Sequence, residues 1–109
     1  MSQSVLTPKH RSLTRLLDCL RPPIARGDVR VADGWRDDEQ GLGLELPEEP
    51  RLSAFVYTYG QASGRYGIEL SFPEAGEAEL AQVPLSQENI DLAHLISILG
   101  THFDLMVAA

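Results

Sequence analysis

The side chains able to do chemistry are few: three histidines (His10, His94 and His102), a single Cys19 and sixteen carboxylates. Nucleophilic catalysis needs a Ser, Cys or Thr activated by a base that a third group orients. His10 falls at the exposed start of a helix, and no serine sits in a Gly-x-Ser-x-Gly elbow; Ser63 precedes Gly64 in a loop but lacks that frame. His94 and His102 stand eight residues apart, two helical turns, with Asp91 just before them. They can share a helix face, yet zinc ligands on one helix usually stand three or four apart. The spacing fits polar residues flanking an apolar stripe. Asp37-Asp38-Glu39 lacks the alternating acids, the Gly and the distal Glu of a calcium loop, and reads as a solvated turn. Gly60, Gly64 and Gly67 lack the spacing and the Lys of a phosphate loop and lie between two strands. Glu45 and Glu69 can face each other across strands as a carboxylate pair, but nothing separates them from ordinary solvated residues. Cys19, having no partner, fits a reducing compartment and reads as a small packing residue. No catalytic set, no metal site and no cofactor is implied.

The remaining candidate chemistry is recognition. Trp, Tyr and Arg dominate binding hot spots because they bury large areas at small entropic cost. Tyr59 and Tyr66 flank one loop, Gly60-Gln61-Ala62-Ser63-Gly64, with Arg65 beside them, and Trp35 and Tyr57 complete the aromatic set. Each can equally fill a core with its polar tip at the edge. Glu45, Glu48 and Glu49 form an acidic group on and around a second short connection.

The elements that must position these groups follow from periodicity. Thr7-Pro8 is a helix-start signal. Leu13, Leu16, Leu17 and Leu20 then fall at i, i+3, i+4 and i+7, a single apolar stripe, and Pro22-Pro23 is expected to end the helix. Four strands are expected next: Asp28 to Trp35, then Leu42 to Leu46, then Arg51 to Tyr59, then Arg65 to Phe72. The third is apolar on both faces, with Phe55, Tyr57 and Tyr59 on one and Leu52, Ala54 and Val56 on the other. It therefore reads as a central strand covered on both sides, the second cover being a second copy of the chain in one reading. Residues Pro73 to Val83 give a weak, acidic signal. Ser86 is expected to cap the last helix, with Glu88 in its first turn, a staple between Leu85 and Ile90, and a stripe of Leu92, Ile96, Leu99 and Phe103.

Composition bounds the class. A chain of 109 residues with 43% hydrophobic and 23% charged residues is one ordinary globular domain, residues 1–109, with 1–7 read as a loose tail. Charge is split: residues 1–36 carry seven Lys/Arg against three Asp, net +4, and residues 37–109 carry two Arg against thirteen Asp/Glu, net −11. Such a chain either pairs its basic opening with its own acidic body or offers two surfaces of opposite sign. The net charge of −7 disfavours direct nucleic-acid binding and anionic lipid, which call for a surplus of Lys/Arg. No apolar run reaches the ~20 residues of a membrane span, and the opening residues do not read as a secretory signal, so the cytoplasm is the expected location.

The expectation is an α+β fold: an N-terminal helix, a four-stranded mostly antiparallel meander and a C-terminal helix, both helices on one sheet face. The expected function is that of a small acidic, non-enzymatic protein that binds a protein partner by surface complementarity, as an inhibitor, immunity-type factor, adaptor or chaperone does. Its charge suits a basic or nucleic-acid-handling partner. The expected contacts are Trp35, Tyr59, Arg65, Tyr66, Glu45, Glu48 and Glu49. The alternative is a small-ligand or regulatory sensor domain, as a monomer or a homodimer, with a pocket between sheet and helices.

Overall fold

Two leucine-rich stripes decide the layering of this chain, whose computed structural model describes residues 10–32, 39–72 and 86–105. The elements run α1 (Arg11–Arg26), β1 (Arg30–Val31), β2 (Gly41–Leu46), β3 (Glu49–Tyr57), β4 (Tyr66–Ser71), β5 (Ser86–Ile90) and α2 (Leu92–Phe103). The strands form one antiparallel sheet in the order β1-β2-β3-β4-β5, so each strand pairs with its neighbours in sequence. Leu13, Leu16 and Leu20 of α1 and Leu95, Ile96, Leu99 and Phe103 of α2 meet Leu42, Leu44, Ala54, Val56, Tyr66 and Ile68 of the sheet in one buried cluster. The α+β architecture and the shared helical face are those expected.

Two local expectations are corrected and a third is met. Pro22-Pro23 does not end α1, which continues to Arg26. Pro23 is itself buried, in step with Leu13, Leu16 and Leu20, so packing offsets the lost backbone bonds. The helix instead stops at Gly27, which takes a left-handed conformation (φ +82°). There the Gly27 amide donates to the Ile24 carbonyl and the Asp28 amide to the Pro23 carbonyl, the paired bonds of a Schellman end. At the other end the cap is His10, whose Nδ1 accepts from the Ser12 amide; Thr7 lies outside the described residues.

The second correction is a fifth strand. Ser86 does not cap a helix: residues Ser86–Ile90 pair with β4, and the cap of α2 is Asp91, whose carboxylate accepts from the His94 amide at 2.9 Å. Both residues are good caps by type. Pairing with β4, which buries Ile90 beside Tyr66, decides between them. Gly100 lies within α2, which continues to Phe103.

The third concerns β3. Leu52, Ala54 and Val56 do meet the helices, and Phe55 and Tyr57 alternate with them onto the opposite face. Phe55 is 2% and Tyr57 6% exposed, as expected of a central strand covered on both faces.

Candidate functional site

The β3–β4 hairpin carries two of the residues expected as contacts, Tyr59 and Arg65, at its exposed tip. Tyr59 follows β3 and is 48% exposed, the large hydrophobic residue that stands out among those described. Its ring stacks on Tyr57 (centroids 4.7 Å apart, planes at 22°), and Tyr57 stacks in turn on Phe55 at 5.8 Å. Alternation along the strand aligns the three rings in a column on the sheet face away from the helices. The column leads from two buried rings to an exposed one.

A bulge on β5 holds this hairpin. From Tyr66 to Ile68 β4 advances two residues, whereas β5 advances three, from Ile90 to Gln87. The extra residue falls where Asn89 adopts a left-handed conformation (φ +56°), which Asn tolerates better than most side chains. Asn89 is thereby turned onto the loop. Its Oδ1 accepts from the Ala62 amide at 3.0 Å, its amide donates to Gln61 Oε1 at 2.6 Å, and its carbonyl accepts from Arg65 Nη1 at 3.2 Å. Gly60 and Gly64, both with φ near +75°, supply the turns on either side. These bonds fix the tip of the hairpin against β5.

Carboxylates border the aromatic column. The Tyr57 hydroxyl donates to Glu88 Oε2 at 3.2 Å. Burial, the Glu88 hydrogen bond and the nearby Glu88 and Glu69 charges together push the Tyr57 phenol up to about 12. Glu69 and Glu88 are exposed. An exposed aromatic face near fixed negative charge suits a cation, because the ring quadrupole and the carboxylates both attract it.

The expected contact residues divide. Tyr59 and Arg65 lie on either side of the hairpin loop, both exposed. Tyr66 belongs to the core: it is 1% exposed, its hydroxyl donates to the Ser12 carbonyl of α1 at 2.8 Å, and burial raises its phenol above the ordinary value. Trp35 lies outside the described residues. Glu48 and Glu49 sit at the β2–β3 connection, at the opposite end of β3, Glu49 roughly 27 Å from Tyr57 at ~3.4 Å per strand residue, and Glu45 lies opposite Ser53, midway along β3. Glu45 there accepts from Arg30 Nε at 2.6 Å. Glu49 accepts two bonds from Arg51, each 3.1 Å, and the first effect of that arginine is to hold the Glu49 carboxyl below its usual range. Glu48 is exposed and borders a recess of about 730 Å³ with Arg26, Asp28, Leu46 and Asp104.

The charge split is resolved in part. Arg30–Glu45 links the basic opening to the acidic body, but Arg21 pairs with Asp18 and Arg26 with Asp28, both within the opening. Arg11 and Arg15 remain as exposed cations on α1. Gln61, Glu88 and Asn89 were not expected at the site. The reading of Ser86 to Glu88 as a helix start concealed Glu88 and Asn89, and with them the partner of the loop residue Gln61; a bulge has no signal of its own in five polar-rich residues.

His94 and His102 do lie along one side of α2 and border one recess. No group of three His, Cys, Asp or Glu side chains among the described residues is placed to hold a metal ion, and no described helix is long and apolar enough to cross a membrane. Comparison with known proteins finds no match among protein families, curated proteins or solved structures.

Proposed function

We propose that this chain is a non-enzymatic protein-binding protein that docks a basic partner on the β3–β4 hairpin. One observation carries the reading: Tyr59 is exposed, backed by the buried rings of Tyr57 and Phe55, and borne on a hairpin that Asn89 holds rigid. A Lys or Arg of the partner stacks on Tyr59 with its charge toward Glu88. Arg65, on the far side of the loop, commits its guanidinium to the Asn89 carbonyl. The acidic body steers the encounter, raising the association rate more than the affinity.

The test is affinity capture from the cell's own lysate by the tagged chain, its Tyr59→Ala variant and its Glu88→Gln variant, at low and moderate salt. A basic protein held by the wild type, lost with Tyr59→Ala and weakened by Glu88→Gln and by salt, is the expected result. A partner held equally by all three forms would refute the hairpin as the docking surface. No captured partner at all would count against the binding function itself.

A further inference from the structure

Backbone hydrogen bonding keeps one phase across the sheet, and that phase decides what its edge presents. In an antiparallel strand a residue turns its N–H and C=O to one neighbouring strand, and the next residue turns them to the other. The Thr58 amide donates to the Gln40 carbonyl at 3.0 Å, one step beyond the Gly41–Tyr57 pair, so Thr58, Val56 and Ala54 bond toward β2. The Ala32 amide, donating to the Gly43 carbonyl at 2.9 Å, gives the same phase from β1. Tyr57, Phe55 and Ser53 therefore bond toward β4, to Gly67, Glu69 and Ser71. Tyr66 and Ile68 in turn bond toward β5, to Ile90 and Gln87. The backbone groups of Ser86 and Glu88 are left pointing away from the sheet.

That edge is open. Among the described residues β5 pairs with β4 alone, and Ser86 and Glu88 are exposed. The opening ends at Asn89, whose amide and carbonyl are taken by Gln61 and Arg65. Ser86 and Glu88 each offer one donor and one acceptor in line, a template for a further strand.

Charge selects the occupant. The Glu88 side chain lies on the face of the aromatic column, where its Oε2 accepts from the Tyr57 hydroxyl. Glu69, register partner of Phe55, adds a carboxylate to that face. Side chains directly opposite on neighbouring strands share a face, so an added residue opposite Glu88 presents its side chain to that carboxylate, beside Tyr57. A second copy pairing edge to edge would bring the Glu88 carboxylates of both copies onto one face, and like charges across strands destabilise. A basic segment is drawn to the same place.

We infer that an extended basic segment of the partner adds to β5 as a further antiparallel strand, bonded to Ser86 and Glu88, with a Lys or Arg opposite Glu88. The inference rests on the docking of a basic partner at the Tyr59 hairpin and specifies the partner: basic side chains recur at every second position of its segment.

The probe is the peptide acetyl-Lys-Val-Lys-Val-Lys-amide, titrated into the ¹⁵N-labelled protein and followed by amide chemical shifts. Saturable shifts are expected at Ser86, Glu88 and, across the ladder, Ile68, with slower hydrogen exchange at the Glu88 amide. Antiparallel addition turns the Lys amides toward β5 and the Val amides away. N-methylation of the Lys amides should weaken binding about tenfold or more, the scale of two lost hydrogen bonds, and N-methylation of the Val amides should be tolerated. Ser86→Pro removes one outward N–H at the first residue of the strand, where Pro is accepted, and should weaken both the peptide and the partner captured from lysate about fivefold. Glu88→Gln should weaken the peptide about two- to fivefold, the scale of an exposed ion pair. Absence of saturable shifts, shifts confined to Tyr59 and Gln61, or indifference to methylation of the Lys amides would overturn strand addition. A partner lost with Tyr59→Ala but indifferent to Ser86→Pro would overturn it too, and would leave the hairpin docking intact. Loss on methylation of the Val amides instead would overturn the antiparallel register, and indifference to Glu88→Gln would overturn the choice of a basic segment.

Discussion

The ring of Tyr57 occupies the space that a side chain at Gly67 would take. A Cβ built on Gly67 would stand 2.3 Å from ring atoms Cε2 and Cζ of Tyr57 and 2.7 Å from its hydroxyl oxygen. The two residues are register partners on β3 and β4, and Gly41 is the partner of Tyr57 on the other side. Glycines on both flanks let the ring settle against the sheet and reach Glu88. Gly67 is thus required for close approach, since its φ is not in the left-handed range.

Gly67→Ala should therefore destabilise the protein by about 1–3 kcal/mol, the range for overpacking, which lowers Tm by roughly 4–8 °C per kcal/mol in a domain of this size. The cause is tested by a double-mutant cycle with Tyr57→Ala. If the clash with the ring is the source, Gly67→Ala costs much less in the Tyr57→Ala background, a coupling above ~0.5 kcal/mol. Additive losses would refute it.

Asn89 offers a second test, because its backbone and its side chain do different things. Asn89→Gly keeps the left-handed backbone at no strain but leaves the Ala62 amide without its acceptor, a loss of about 1 kcal/mol. Asn89→Ala adds the strain of a Cβ in that conformation, on the order of another 1 kcal/mol. Hydrogen exchange at Ala62 should quicken in both variants, while only Asn89→Ala disturbs the pairing of Ile90 with Tyr66. Unchanged exchange at Ala62 would show that the hairpin is fixed by other contacts.

How much of this was legible in the sequence depends on the range of the forces involved. The leucine stripe of α1, the alternation of Tyr66, Ile68 and Leu70, and the Gly-flanked hairpin are local patterns that burial enforces, and they read correctly. Pro22-Pro23 misled because a local penalty was overruled by the burial of Pro23 against the core. Ser86 to Ile90 misled for a related reason. Two cap residues, Ser86 and Asp91, compete within six positions, and only the long-range pairing with β4 chooses Asp91. At the site, residue type marked Tyr59 and Arg65 but could not separate Tyr59 from Tyr66. The two flank the same loop, yet Tyr66 is directed onto α1 and Tyr59 to solvent. The acidic trio was visible as charge; the arginines that Glu45 and Glu49 face were visible only in three dimensions.

The link between Tyr57 and Glu88 should appear in alkaline titration. With the folded-state pKa raised from 10 to about 12, the native state holds this proton more tightly than the unfolded chain. Its stabilising contribution is complete below pH 10 and is lost as the pH rises toward 12. Phenolate absorbance should show Tyr57 ionising late. Glu88→Gln removes the adjacent charge and should bring that step to lower pH, short of the ordinary value because burial, the largest cause, remains. Tyr57→Phe should remove this step and leave the raised ionisation of the buried Tyr66, which Glu88→Gln does not move. A late step that responds to Glu88→Gln in the Tyr57→Phe background would assign it elsewhere.

His102 makes the complementary prediction in acid. Its imidazole is tied to the Ser53 carbonyl through Nε2, and the rings of Phe72 and Phe103 contact it edge-on, at 4.9 and 4.8 Å. Protonation would place a charge and an unpaired Nδ1–H among these groups, an arrangement that desolvation disfavours. The folded-state pKa accordingly lies below the ordinary 6.5. The unfolded chain then binds the proton first, so the stability is intact above pH 6.5 and declines as the pH falls through the folded-state value. The acid response of Glu49, whose carboxyl Arg51 holds below its usual 4.5, belongs to a lower window and is separable. His102→Gln keeps an N–H for Ser53 and cannot titrate. Urea unfolding followed from pH 7.5 to 5 should give a falling stability for the wild type and a flatter profile for His102→Gln. Parallel profiles would mean that His102 finds a partner for Nδ1–H when protonated, and that the buried lone pair is not what sets the acid sensitivity of this fold.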